Sequence, residues 1–140
     1  MKKFVVDANV AVKWVLPEIH SEAASRLLNS DHTLLVPDFF FSEIGNIFWK
    51  QVRFGTNTLE EAELNFNQIA ITPIQTYQSK LLIPSALEIA VRVQQAVYDC
   101  VYLALAVNQG CQMVTADKRF INALQGDDLA TYLCWVEYLL

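Results

Sequence analysis

Four acids in this sequence stand where acids are costly. Asp7 follows the apolar run Phe4-Val5-Val6, and Asp117 follows Gln112-Met113-Val114-Thr115. Each falls at the exit of a predicted strand, the edge at which open α/β sheets bind ligands. Glu43 is three residues after Phe40 and four before Ile47 on a predicted helix. It therefore shares the apolar stripe of Phe40, Ile44, Ile47 and Phe48. Asp99 heads a helix whose next eight residues, Cys100 to Val107, carry no charge. A carboxylate facing a core is strongly destabilising unless it is paired or binds a metal. Each acid also has a plainer use. Asp7, Asp99 and Asp117 could cap helices, and Glu43 could reach water from the edge of its stripe.

Taken together, the acids predict a chemistry. Carboxylates gathered at one sheet edge repel by about 4 kcal/mol per close pair at an effective dielectric of about 20. Either some of them take up protons or a divalent cation neutralises them. Oxygen ligands without His or Cys favour Mg²⁺ or Mn²⁺ over zinc. Such an ion leaves coordination places for water and a substrate phosphate, and attack of activated water on a phosphodiester follows.

The elements that must position these acids alternate. Phe4-Val5-Val6 reads as a buried strand, and residues 8 to 16 as a short helix ending before Pro17. Glu18 to Leu28 has helical spacing. Leu34-Leu35-Val36 is a second strand, and Asp38 is the expected N-cap of a helix to about Arg53, stopped by Gly55. Thr58-Leu59-Glu60-Glu61 forms a capping box for a helix to about Ile69. Ile71 to Tyr77, with Pro73 inside, predicts an edge strand or extended link. Ser79 or Ser85 opens a helix through Val93, and Val97 to Asn108 is an apolar helix ended by Gly110. Gln112 to Val114 is a strand, Lys118 to Leu124 a short helix, and Ala130 to Val136 a last strand. The alternation predicts an α/β fold with a mostly parallel sheet of four or five short strands between helices.

The chain has 140 residues, enough for one domain over 1–140. Hydrophobic residues make up 54% and charged ones 18%, which excludes intrinsic disorder and suggests an interface besides the core. Net charge is −5, so a basic coat for nucleic acid is absent, though a metal site with a small basic patch is not excluded. No apolar run approaches the roughly 18 residues that cross a bilayer, and Asp7 interrupts any signal-peptide core. A soluble, cytoplasmic protein is expected. Cys100, Cys111 and Cys134 are odd in number and lack metal-ligand spacing, so they read as reduced thiols.

At these residues the sequence resembles the PIN-domain nucleases. The resemblance is carried by Val5-Val6-Asp7-Ala8-Asn9-Val10, by Pro37 with Ser42-Glu43-Ile44-Gly45-Asn46, by Tyr98-Asp99-Cys100-Val101-Tyr102-Leu103-Ala104-Leu105-Ala106, and by Val114-Thr115-Ala116-Asp117-Lys118-Arg119-Phe120. It spans essentially the whole chain, in order, and the short form is similar to VapC-type toxins of toxin–antitoxin pairs. Cys100 departs from the pattern, where Ala is commoner. The resemblance implies a three-layer PIN-like fold and a Mg²⁺-dependent endoribonuclease, with Mn²⁺ able to substitute. It implies Asp7, Glu43, Asp99 and Asp117 as catalytic metal ligands, with Asn9 and Thr115 in support. It also implies RNA as substrate, a small antitoxin partner and a homodimer; the apolar excess places the subunit contact on Leu59 to Ile69 and Ile83 to Val93. The competing reading is a catalytically silent PIN-like module that binds RNA or a partner. A phospho-acceptor signalling domain is set aside because no Asp lies between Glu43 and Asp99.

Lys118, Arg119 and Lys13 are the leading candidates for RNA phosphate contacts, with Lys50 and Arg53 also flanking acidic segments. His20 and His32 read as solvated surface. Trp14, Trp49, Trp135 and Phe39, Phe40, Phe41 and Phe48 read as core or interface more than as base-stacking groups.

Overall fold

The run Phe4-Val5-Val6 becomes the centre of the sheet. In a computed structural model describing residues 2–140, β1 (Lys2–Val6) is flanked by β2 (His32–Pro37) and β4 (Gln112–Thr115). The edges are β3 (Gln75–Tyr77) and β5 (Leu133–Trp135), giving the order β3-β2-β1-β4-β5. Every pairing is parallel, with Val5 level with Leu35 on one side and Met113 on the other. Parallel sheets are covered on both faces, which is why these strands read as continuous apolar runs rather than alternating ones. Val5, Val6, Leu35, Val36 and Val114 have no solvent exposure.

The helices among the described residues are α1 (Ala8–Ala11), α2 (Ser21–Ser25), α3 (Phe40–Arg53), α4 (Leu59–Ala70), α5 (Ile83–Val93), α6 (Val97–Gln109) and α7 (Lys118–Ala123). The chain leaves β1 toward β2 and β3, then crosses back to β4 and β5. Right-handed crossovers therefore send α1 to α4 to one face and α5 to α7 to the other. The result is the expected three-layer α/β arrangement. α6 is its innermost helix: all seven residues from Cys100 to Ala106 are buried.

The strongest local signals are realised. Thr58 Oγ1 accepts the Glu61 amide at 3.1 Å and Glu61 Oε1 accepts the Thr58 amide at 2.9 Å, closing the capping box. Gly110 ends α6 at φ +64°, a conformation that costs little only without a Cβ. Three expectations fail. Asp38 does not cap α3: Phe39 takes that position, and the Asp38 amide instead donates to the Tyr77 carbonyl, tying β2 to β3. Neither Ser79 nor Ser85 opens α5, which begins after Leu82 with Pro84 in its first turn, where a missing N–H costs nothing. The 18–28 segment becomes helical only at Ser21, after His20 turns through φ +71°, and its end tightens into a 3₁₀ turn over Arg26–Leu28.

Candidate active site

The sheet order sets a switch point between β1 and β4. β1 feeds its chain to one side through α1, and β4 feeds its chain to the other side through α7, so the two exits diverge. A cleft at such a switch point is the standard ligand position in open α/β sheets. Asp7 is the first residue past β1. Its amide donates to the Val114 carbonyl at 3.4 Å, extending the ladder to β4 by one step. Asp7 occupies the N-cap position of α1, yet its side chain makes no capping bond. It is 5% exposed, one of only two polar residues buried among the described ones. Thr115, the other, is fully buried at the end of β4, where its Oγ1 accepts the Asp117 amide at 3.0 Å.

The remaining acids converge from three elements. Glu43 lies in the first turn of α3, half-buried beside Phe40 and Ile44, which are wholly buried. Asp99 lies in the first turn of α6, half-buried, and no side chain caps that helix, so the capping role is not what holds it there. Asp117, exposed, does cap its helix: its Oδ1 accepts the Arg119 amide at 2.9 Å and the Phe120 amide at 3.3 Å. The plain and the chemical uses of Asp117 are thus compatible, since one oxygen serves the helix.

The four acids act on one another electrostatically. Burial pushes the Asp7 carboxyl up to about 8, and the charges of Asp99, Glu43 and Asp117 push the same way; only the Ala8 amide opposes them. Burial, then Asp117 and Glu43, raise Asp99 to about 6. Burial also raises Glu43, while the hydroxyl of Tyr102 pulls it down. No basic side chain is among the groups acting on Asp7, Glu43 or Asp99. The site carries uncompensated negative charge in oxygen donors, and in donor chemistry and charge that set fits a hard divalent cation. Among the described residues no three His, Cys, Asp or Glu side chains are gathered tightly enough to grip one ion.

The supporting residues divide. Asn9 is exposed on α1, close in sequence to Asp7, with no hydrogen bond from its side chain. Lys118 follows Asp117 and sits over the Trp135 ring, 4.5 Å from its centroid, at the exit of β5. Arg119 is exposed. Lys13 is held by Glu18 at 3.1 Å with its side chain only 10% exposed, so it is already paired. The histidine expectation fails. His20 is half-buried, bonded to Glu137 and edge-on to Trp135, a partner 117 residues away that no local pattern announces. His32 is half-buried edge-on to Phe4. Trp14 packs inward and donates to the Ala24 carbonyl at 2.9 Å, whereas Trp49 is 54% exposed. The thiols are free, Cys100 being buried and the others half-buried. Sequence reasoning passed over Tyr102, whose O–H donates to Glu43 Oε1 at 2.6 Å. The signal was available: a phenol inside an otherwise chargeless buried helix needs an acceptor.

Comparison with known proteins agrees with this fold. Residues 4–123 match the PIN domain. A curated relative, Ribonuclease VapC3 of Pyrobaculum aerophilum, is 28% identical over 119 residues, covering 84% of this chain and 91% of the relative. The fold is shared with VapC20 of Mycobacterium tuberculosis, described as a toxin that cleaves the sarcin–ricin loop, at TM-score 0.64 and 17% identity, over 86% of this chain and 94% of that one. It is shared too with a toxin–antitoxin complex from Klebsiella pneumoniae, at TM-score 0.64 and 9% identity, over 94% and 96%.

Proposed function

The chain belongs to the PIN domain family, and from that premise we propose that it is a Mg²⁺-dependent endoribonuclease, the toxin of a toxin–antitoxin pair, in which Mn²⁺ can substitute. One observation carries the reading: Asp7 is buried at the switch point of the sheet, and the charges of Asp99, Glu43 and Asp117 bear on it with no basic side chain among the groups that do. The ribonuclease relative supports the reaction class and the toxin–antitoxin neighbour supports the setting.

Asp7, Glu43, Asp99 and Asp117 would hold the cation. When bound, it supplies Lewis-acid polarisation of a phosphate oxygen and acidifies a water molecule. The chain does the rest. Asp7 and Asp99 keep two carboxyls of raised proton affinity in the cleft, groups able to hold a proton near neutral pH when no cation is present. Thr115 fixes the backbone that carries Asp117. Lys118 and Arg119 offer positive charge beside the cleft to an RNA phosphate, and Trp135 limits where the Lys118 amine can lie.

Residues 1–140 are read as one nuclease domain, and a second copy of the chain is the proposed partner for α4 and α5, where Leu64, Leu87 and Val91 are 63%, 52% and 67% exposed. A small antitoxin is the second partner. No helix among the described residues is long and apolar enough to cross a membrane; a ribonuclease of this kind would meet its RNA in the cytoplasm. Incubation of the purified chain with structured RNA, with Mn²⁺ and with EDTA, tests the reading. Cleavage that requires Mn²⁺ and is lost in Asp7→Asn is expected; RNA binding without cleavage would instead establish the silent module.

A further inference from the structure

Tyr102 lies on α6 three residues after Asp99, a spacing that puts the two on neighbouring positions of one helix face. It is 1% exposed, among the largest fully buried side chains described. A buried phenol is destabilising unless its O–H finds an acceptor. Here the acceptor is a carboxylate, and 2.6 Å to Glu43 Oε1 is the length of a hydroxyl on an ionised acid. Among the described residues no other hydrogen bond to that carboxylate is present. The phenol itself is braced. Phe39 stands edge-on to it at 5.6 Å and 84°, and edge-on to Tyr98 at 5.7 Å and 86°. Phe39 is the residue that starts α3, the helix carrying Glu43. The two helices are therefore joined twice within one turn, once by rings and once by this bond.

We infer that Tyr102 is a positioning residue whose hydroxyl holds Glu43 in the orientation that faces the other three acids. A glutamate has more rotatable bonds than an aspartate, and Glu43 is the only Glu of the four. Unheld, it would have to be ordered each time a cation is taken up; held at one oxygen, it offers the other ready-placed. The inference rests on the nuclease reading and adds a residue outside the four acids.

Tyr102→Phe removes one oxygen and leaves the ring against Phe39. Calorimetric titration of the metal-free protein with MnCl₂ should show affinity lowered about tenfold to a hundredfold, the range for loss of a group that orients a ligand. Cleavage at saturating Mn²⁺, and KM for RNA, should stay within about threefold of the parent. In a Glu43→Ala background the same change should do nothing further to Mn²⁺ affinity. Glu43→Asp, which draws the acid back by one methylene without touching the core, should lose the same affinity. Parental Mn²⁺ affinity in Tyr102→Phe, or an equal loss when Glu43 is already absent, would leave Tyr102 as packing alone and overturn the inference. A parent that binds no Mn²⁺ and cuts no RNA overturns the nuclease reading itself, and the parent's own titration separates the two.

Discussion

Asp7 stores an electrostatic cost that reports on the site. Its carboxyl lies near 3.8 when the chain is unfolded and is raised to about 8 in the fold. A carboxyl raised on folding contributes stability that is complete below its unfolded value and is lost as pH rises through its folded value. Asp99, raised to about 6, adds to the same slope. Metal-free protein should therefore melt at a lower temperature as pH increases from about 5 to about 8.5. A bound cation prefers the ionised set, so Mn²⁺ should flatten or reverse that trend and release protons. A metal-free melting temperature that rises across the range would remove the basis for coupled acids. Asp99→Asn takes away a charge acting on Asp7. It should melt higher than the parent in EDTA and respond far less to millimolar Mn²⁺. Equal metal-induced shifts in the two proteins would show that Asp99 takes no part in binding. For cleavage, Asp7→Asn should cost about a hundredfold or more with the fold intact, read as initial rates on one RNA at saturating Mn²⁺. Residue type and position alone singled out these four acids: Asp7, Glu43 and Asp99 stand against a local rule, whereas Asp117 also serves as the cap of α7. Tyr102 signalled only that it needs an acceptor; that the acceptor is Glu43 depends on α3 meeting α6.

Elements were legible where a local device fixes them. The Thr58–Glu61 capping box needs only four consecutive residues, and both of its bonds form. Thr58→Ala should cost about 1 kcal/mol, a fall of about 3 °C in melting temperature, with cleavage unchanged because α4 carries none of the four acids. A fall in cleavage matching Asp7→Asn would mean that α4 helps to shape the cleft. Devices that depend on distant partners were misread. Asp38 had the right type and place for a cap, but β3 arrived to claim its backbone. Ser79 and Ser85 were equally plausible starts, and the fixed φ of Pro84 decided for neither. His20 looked solvated because Glu137 and Trp135 come from the far end of the chain.

The whole molecule leaves apolar surface outside its own core. On α5, Leu87 and Val91 face solvent, and Leu81, in the turn that precedes α5, is 74% exposed. The isolated chain at micromolar concentration should scatter light as a dimer, and Leu87→Glu should shift it to a monomer that keeps its fold. A monomeric parent would assign that face to another partner. The central place of β1 has a consequence for synthesis. β1 (Lys2–Val6) is made well before one of its two neighbours, β4, which spans residues 112–115, so half of the hydrogen-bonding rim of β1 has no partner until that later strand has been made. At about 5–20 residues per second, that interval lasts roughly 5–20 s. Asp117 arrives only with β4, after Glu43 and Asp99. A growing polypeptide would thus present an incomplete acid set until Asp117 has been made, and under the nuclease reading any hazard to nearby RNA would begin only then.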